Sequence, residues 1–264
     1  MKSNENQFLL KTEQLEIGYR HKKKKIVVAS EIELSLRTGE LTAVIGVNGS
    51  GKSTLLKTLT GDLPTLNGAV SLQAVPLEKY SNKQLSETIS VVLTNQLFSK
   101  NLSVFELVAL GRQPYTNWLG TLSENDRQAV NIALEQVEIE DLKQKKCGEL
   151  SDGQLQKTMI ARALAQDTSL IFMDEPTTHL DLYHKIHVLQ LLKKLTQQTQ
   201  KTIVFASHEI NLALQLCNKI ILVNNQKAIQ GTPNELIESG IFEVLFPSES
   251  IQFHPETKSF QVKK

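Results

Sequence analysis

Near the start of the chain, apolar and polar residues alternate. Leu15 and Ile17 lead into Gly18 and Tyr19, and Ile32, Leu34 and Leu36 share one face of an extended segment. A period of two is that of a half-buried strand, so an antiparallel β layer is expected here. Leu41 to Ile45 (LTAVI) is instead a short apolar run of the kind found in strands covered on both faces. A Gly-rich stretch follows, then a helical pattern from about Lys52 to Thr60, with Gly61 as its stop. Further apolar runs at Ile89 to Leu93, Leu170 to Met173, Ile203 to Ala206 and Ile220 to Val223 alternate with helical patterns. That alternation predicts an α/β fold built on a parallel sheet. From Leu97 to about Lys146 the rhythm is helical throughout, with Ser103 and Ser123 placed as N-caps, which predicts an inserted helical subdomain. Beyond Gly231 two short helical patterns and a polar tail are expected.

The length of 264 residues suits one large α/β domain with an elaboration. Lys and Arg total 29 against 28 Asp and Glu, a formal charge of +1, so no global field favours nucleic acid or an anionic membrane. The opening MKSNENQF is not a secretory stretch, and no run approaches the roughly 18 apolar residues of a membrane helix. A soluble cytoplasmic chain is the expectation. Cys147 and Cys217 lie far apart without a CxxC pattern, which fits two ordinary thiols in a reducing compartment. The basic run RHKKKK from Arg20 to Lys25 is either a solvated loop between strands or a contact for phospholipid headgroups.

The chemistry is concentrated in three segments. Gly46-Val47-Asn48-Gly49-Ser50-Gly51-Lys52-Ser53 fits the Walker A pattern and stands between a buried strand and a helix, as that pattern requires. Its glycines let backbone N–H groups turn onto a β-phosphate, the helix N-terminus adds its positive end, Lys52 neutralises β/γ oxygens and Ser53 offers a hydroxyl to Mg²⁺. Leu170 to Glu175 (LIFMDE) is an apolar strand ending in two acids. In isolation such a pair could be a capping turn. Beside a phosphate loop it is a Walker B arrangement, with Asp174 holding Mg²⁺ and Glu175 as general base for the attacking water. His208 follows the strand Thr202 to Ala206, so it lies at the carboxyl end of the sheet, where it could contact a γ-phosphate.

Leu150-Ser151-Asp152-Gly153-Gln154 resembles the ABC signature LSGGQ, and on it the chain is identified as a member of the ABC ATPase family. The resemblance implies an α/β P-loop NTPase core with a parallel sheet, an N-terminal antiparallel β layer and the inserted helical subdomain. Residues 1–96 would hold the β layer and Walker A core, 97–150 the helical subdomain, 151–231 the signature helix, Walker B, D-loop and switch histidine, and 232–264 a C-terminal extension. It further implies an adenine-stacking role for Tyr19, a Q-loop role for Gln96 at both Mg²⁺ and the catalytic water, and a D-loop at Thr178-His179-Leu180-Asp181. ATP and Mg²⁺ are the implied cofactors, with Gly46, Asn48, Gly49, Ser50, Gly51, Lys52, Ser53 and Thr54 binding on one chain and Ser151, Gly153 and Gln154 on a second copy. Asp152 departs from the usual glycine. It is expected to turn back and cap its own helix rather than face the γ-phosphate.

A single cassette without a membrane span implies a separate permease, as in bacterial importers. Leu110-Gly111-Arg112-Gln113-Pro114-Tyr115, the SENDRQAV helix and DEPTTHLDL resemble importers of iron chelates, haem or cobalamin. The implied partners are a second copy, membrane permease subunits and, indirectly, an extracytoplasmic substrate-binding protein. No nucleic acid is expected, and the implied place is the cytoplasmic face of the membrane. The alternative is a soluble, non-transport ABC ATPase that remodels a protein or nucleic-acid complex. Asp181, His184 and His187 could form a metal face or be satisfied surface residues, and Phe98, Phe105, Tyr115 and Trp118 could line a groove for a partner's helix or pack the helical insertion.

Overall fold

The computed structural model describes residues 8–22, 24–93, 98–243, 245 and 251–263. They divide into two compact units, residues 1–79 with 202–264, and residues 80–201.

The first unit opens with β1 (Phe8–His21), β2 (Lys24–Ile32) and β3 (Ser35–Arg37). The expected alternation holds at Leu15 and Ile17, buried on either side of half-buried Glu16, but register shifts break the period elsewhere along β1, where Leu9 and Leu10 are both buried. After β4 (Leu41–Ile45) and α1 (Lys52–Leu59), β5 (Asn67–Leu72) and β6 (Val75–Pro76) complete an antiparallel layer of order β2-β1-β5-β6, with β3 also paired to β1. All five residues of β4 are buried.

Residues 80–201 hold α2 (Asn82–Thr88), β7 (Ile89–Val92), α3 (Val104–Ala109), α4 (Glu124–Gln136), α5 (Asp152–Ala165), β8 (Leu170–Asp174) and α6 (Leu182–Thr199). β7 and β8 pair in parallel. Ser103 and Ser123 are the N-caps of α3 and α4, each in a reciprocal capping box with the acid three residues on, Glu106 and Asp126. α3, α4 and α5 pack on one another, and Val104, Leu107, Val108, Val130, Leu134, Ile160 and Leu164 on them are buried.

The first unit then continues with β9 (Thr202–Ala206), α7 (Ile210–Leu216), β10 (Lys219–Asn224), β11 (Lys227–Gly231) and α8 (Pro233–Glu238). β10, β4 and β9 run parallel, and β11 pairs antiparallel to β10. The tail corrects the expectation of two helices and a polar end. Among its described residues it holds one helix, α8, followed by a hairpin of β12 (Ile251–His254) and β13 (Ser259–Val262). Phe253 and Phe260 lie directly opposite each other, the first ring tilted against Phe242 and the second edge-on to it, and such cross-strand aromatic pairing outweighs the weak helical spacing.

The segment Leu110 to Tyr115 is a lock within the helical unit. A Cβ on Gly111 would lie 2.2 Å from the Arg162 carbonyl oxygen, so only glycine lets this segment reach α5. The Arg112 side chain, 10% exposed, donates from Nε to Asp126 Oδ1 (2.9 Å) and from Nη1 to the Ala165 carbonyl (2.8 Å), and its guanidinium lies 4.0 Å from the Tyr115 ring centroid. The Tyr115 hydroxyl donates to the Gln166 carbonyl. Two carbonyls at the end of α5 are thereby satisfied. Removing one member of so buried a pair strands the other, so Arg112→Ala should cost about 3–5 kcal/mol, read by denaturant unfolding. A cost below about 1 kcal/mol would remove the lock.

The pair also carries a pH dependence. The Ser123 hydroxyl and the Arg112 guanidinium hold the Asp126 carboxyl below the usual carboxylate range. A depressed folded-state value stabilises above the unfolded value of about 4 and is lost as pH falls through the folded value. The thermal-midpoint gap between native protein and Asp126→Asn should hold steady from pH 7 to about 5 and shrink below about 4. A gap that widens in acid would contradict this.

Candidate functional site

In the first unit the loop between β4 and α1 is shaped by its backbone. Gly46 takes φ 156°, and a Cβ there would lie 2.3 Å from the Val223 carbonyl oxygen and 2.7 Å from Ser50 Oγ, so the loop closes only because residue 46 has no side chain. Asn48 and Gly49 are exposed at its rim, Gly49 and Gly51 also have positive φ, and Ser53 is exposed in the first turn of α1. Lys52 is 5% exposed, and its ammonium donates to the carbonyls of Gly46 (3.0 Å) and Val47 (3.2 Å). Its Nζ also lies 3.4 Å from His208 Nδ1. For that contact to be a hydrogen bond Nδ1 must accept, which puts the imidazole proton on Nε2. The Tyr19 and Thr54 hydroxyls bond at 2.9 Å, fixing a ring that is 44% exposed beside α1.

This loop fits a polyphosphate. Ser50 Oγ is buried without a hydrogen-bond partner among the described residues, and a buried ammonium sits in the same loop. An orphaned hydroxyl costs free energy unless a ligand satisfies it.

In residues 80–201, Asp174 closes β8 and is half-buried. Glu175 follows in the left-handed region at φ 51°, a conformation that costs about 1–3 kcal/mol for a non-glycine and is held by its surroundings. Thr178 supplies part of that hold: its amide donates to the Glu175 carbonyl at 3.2 Å and its hydroxyl to Glu175 Oε2 at 3.1 Å. Sequence reasoning placed Thr178 only in the D-loop, and the i, i+3 acid–hydroxyl spacing was the available signal. Oxygen donors such as Ser53 and Asp174 are the type Mg²⁺ takes, and Mg²⁺ is commonly held by one or two protein ligands with phosphate and water completing its shell.

The signature segment corrects one expectation. Ser151, not Asp152, is the N-cap of α5, its hydroxyl accepting from the Gln154 amide at 3.3 Å while Gln154 Oε1 accepts from the Ser151 amide at 3.1 Å. Asp152 is the first helical residue and is exposed. A cap needs extended backbone one residue before the first turn, and Ser151, at ψ 161°, already occupies that position. Asp152 still complements the helix dipole.

Asp181 caps α6 and pairs with His184, and the His187 ring contacts the Tyr183 carbonyl through Nδ1. Among the described residues no group of three or more His, Cys, Asp or Glu side chains could hold a metal. Both cysteines are buried. Gln96 lies outside the described residues.

Residues 29–178 match the ABC transporter family. The chain is 37% identical to the achromobactin transport ATP-binding protein CbrD of Dickeya dadantii, over 88% of this chain and 86% of that protein. It is 35% identical to the iron(3+)-hydroxamate import ATP-binding protein FhuC of Bacillus subtilis, over 90% and 87%. A dimeric, post-hydrolysis structure of the cassette MJ0796 bound to ADP and phosphate superposes with a TM-score of 0.71, at 27% identity, over 85% of this chain and 98% of that one. The Gly46–Ser53 loop, the acids closing β8 and the capped signature helix therefore stand in a family context, and the chain belongs to the ABC transporter ATP-binding subunits, which are ATPases coupled to transport.

Proposed function

We propose that the chain energises import of an iron chelate through a separate membrane permease, at whose cytoplasmic face it acts as a homodimer. The observation that carries the ATPase half is the loop from Gly46 to Ser53, where a buried ammonium and an unpartnered buried hydroxyl share one cradle. The iron-chelate half is supported by the names of relatives such as the iron(3+)-hydroxamate import protein, which spans nearly the whole chain.

In this reading Tyr19 stacks on adenine, the loop from Gly46 to Ser53 and Thr54 hold the phosphates, and Ser53, Asp174 and Gln96 hold Mg²⁺. Bound Mg²⁺ would supply charge neutralisation between phosphate oxygens. Glu175 accepts a proton from the attacking water, and His208 donates from Nε2. Ser151, Gly153 and Gln154 of the second copy complete the site, their helix N-terminus favouring anionic oxygen. No helix among the described residues is long and apolar enough to cross a membrane; in this reading the permease is a different chain. Trp118, 92% exposed, and Leu119, 66% exposed, leave an apolar spot on the helical unit suited to such a partner.

Purification from membranes together with a polytopic protein, followed by ATP-dependent uptake of a ferric hydroxamate into vesicles holding the complex, tests the reading. Uptake that needs both ATP and this chain is expected. Association with ribosomes or DNA instead, and no uptake, would favour a remodelling ATPase.

A further inference from the structure

The signature segment and the D-loop are tied together by one imidazole that neither motif contains. Asp181 Oδ1 accepts from the His184 amide at 2.8 Å and lies 2.8 Å from His184 Nδ1. An ionised carboxylate only accepts, so Nδ1 carries the proton in this contact. The other side of the same ring lies over Gly153. A Cβ on Gly153 would stand 2.9 Å from His184 Cδ2 and 3.6 Å from both Cγ and Nε2. The ring is further flanked edge-on by Tyr183, with centroids 5.4 Å apart. One face of the imidazole is thus set by the first turn of α5, and its Nδ1 by the residue that starts α6. All of these groups belong to the same compact unit.

We propose that His184 is a positioning residue that couples Ser151–Gln154 to Thr178–Asp181, so that the two segments meet a nucleotide as one preset edge. This rests on the reading above, in which Ser151, Gly153 and Gln154 of one chain serve ATP held by its partner copy. The interlock uses glycine for more than anion binding: a Cβ at position 153 would force the ring to shift from the place it holds. His184 is half-exposed and Asp181 more so. Exposed pairs of this kind add little to folding stability, so the purpose served is geometric rather than stabilising. Displacements of about 1 Å remote from the reacting atoms can lower turnover by up to roughly a hundredfold.

The test uses the full chain with His184→Ala, His184→Asn and, in parallel, Lys52→Ala. His184→Ala should lower kcat for ATP roughly tenfold or more while the affinity of the subunit for a fluorescent ATP analogue stays within about twofold. Its thermal midpoint should stay within about 4 °C of the native one, because an exposed pair has been lost. His184→Asn presents a side-chain N–H where Nδ1 stands and should recover at least half of the lost turnover. A fall in kcat smaller than about fivefold, loss of analogue affinity in step with kcat, or His184→Asn as slow as His184→Ala would each overturn the interlock. Should Lys52→Ala also keep native turnover, the assignment of the nucleotide site itself fails; a dead Lys52→Ala beside an unaffected His184→Ala removes the interlock alone.

Discussion

Replacing Glu175 by Gln will slow ATP hydrolysis roughly a hundredfold to ten-thousandfold, the span general-base catalysis covers, while leaving ATP affinity within about twofold. The expectation follows from where the chain puts this carboxylate. β8 is driven into the core by Leu170, Ile171, Phe172 and Met173, all fully buried, and ends at Asp174. The backbone then turns through the left-handed region at Glu175 and is held there by two hydrogen bonds from Thr178, one of them to the carboxylate itself. Gln preserves size and can still accept from Thr178, so the turn survives and only the capacity to take a proton is lost. Phosphate release at saturating ATP, with binding measured separately, checks this. Native turnover in the Gln variant would mean that another group takes the proton.

Lys52→Ala acts on binding as well as rate. The ammonium is 5% exposed and bonds two carbonyls of its own loop, so a buried cation faces whatever anion the loop receives. Losing one preorganised charged donor costs about a hundredfold to a thousandfold in rate, and the ground-state phosphate loses a charge-assisted hydrogen bond as well. The variant should therefore show kcat/KM down by at least about a hundredfold and weakened ATP binding in a direct titration. His208 gives the second sign. Its Nδ1 loses the Lys52 contact in the variant, so the Nδ1 resonance followed by nitrogen NMR should change between native and Ala proteins. Unchanged affinity and turnover would remove Lys52 from the site.

Much of this was legible in the chain because its signals are local. The Walker A glycines announce a backbone turned on itself, and Gly46 meets the Val223 carbonyl where a side chain would have stood. Ser103 and Ser123 cap their helices because a hydroxyl followed three residues later by an acid satisfies two orphan donors at once. The same logic, applied one residue earlier than Asp152, puts the α5 cap on Ser151 with Gln154 as its partner. Contacts between distant parts of the chain were harder to foresee. LGRQPY served as a family mark in the sequence, yet nothing local said that Gly111 makes room for the Arg162 carbonyl or that Arg112 reaches Asp126 and Ala165. The Lys52–His208 contact spans 156 positions and the Tyr19–Thr54 bond 35, so both needed the fold. The β12–β13 hairpin escaped because its strands are four residues each, too short for periodicity to separate strand from helix.

The central claim is that this chain hydrolyses ATP as a pair of copies, each completing the other's site. Light scattering of purified Glu175→Gln protein, with and without ATP and Mg²⁺, tests it most directly. The expected result is the mass of one chain without nucleotide, twice that mass with ATP and Mg²⁺, and one chain again when Lys52→Ala is added to the same protein. A single-chain mass under saturating ATP, with bound nucleotide confirmed, would contradict the account.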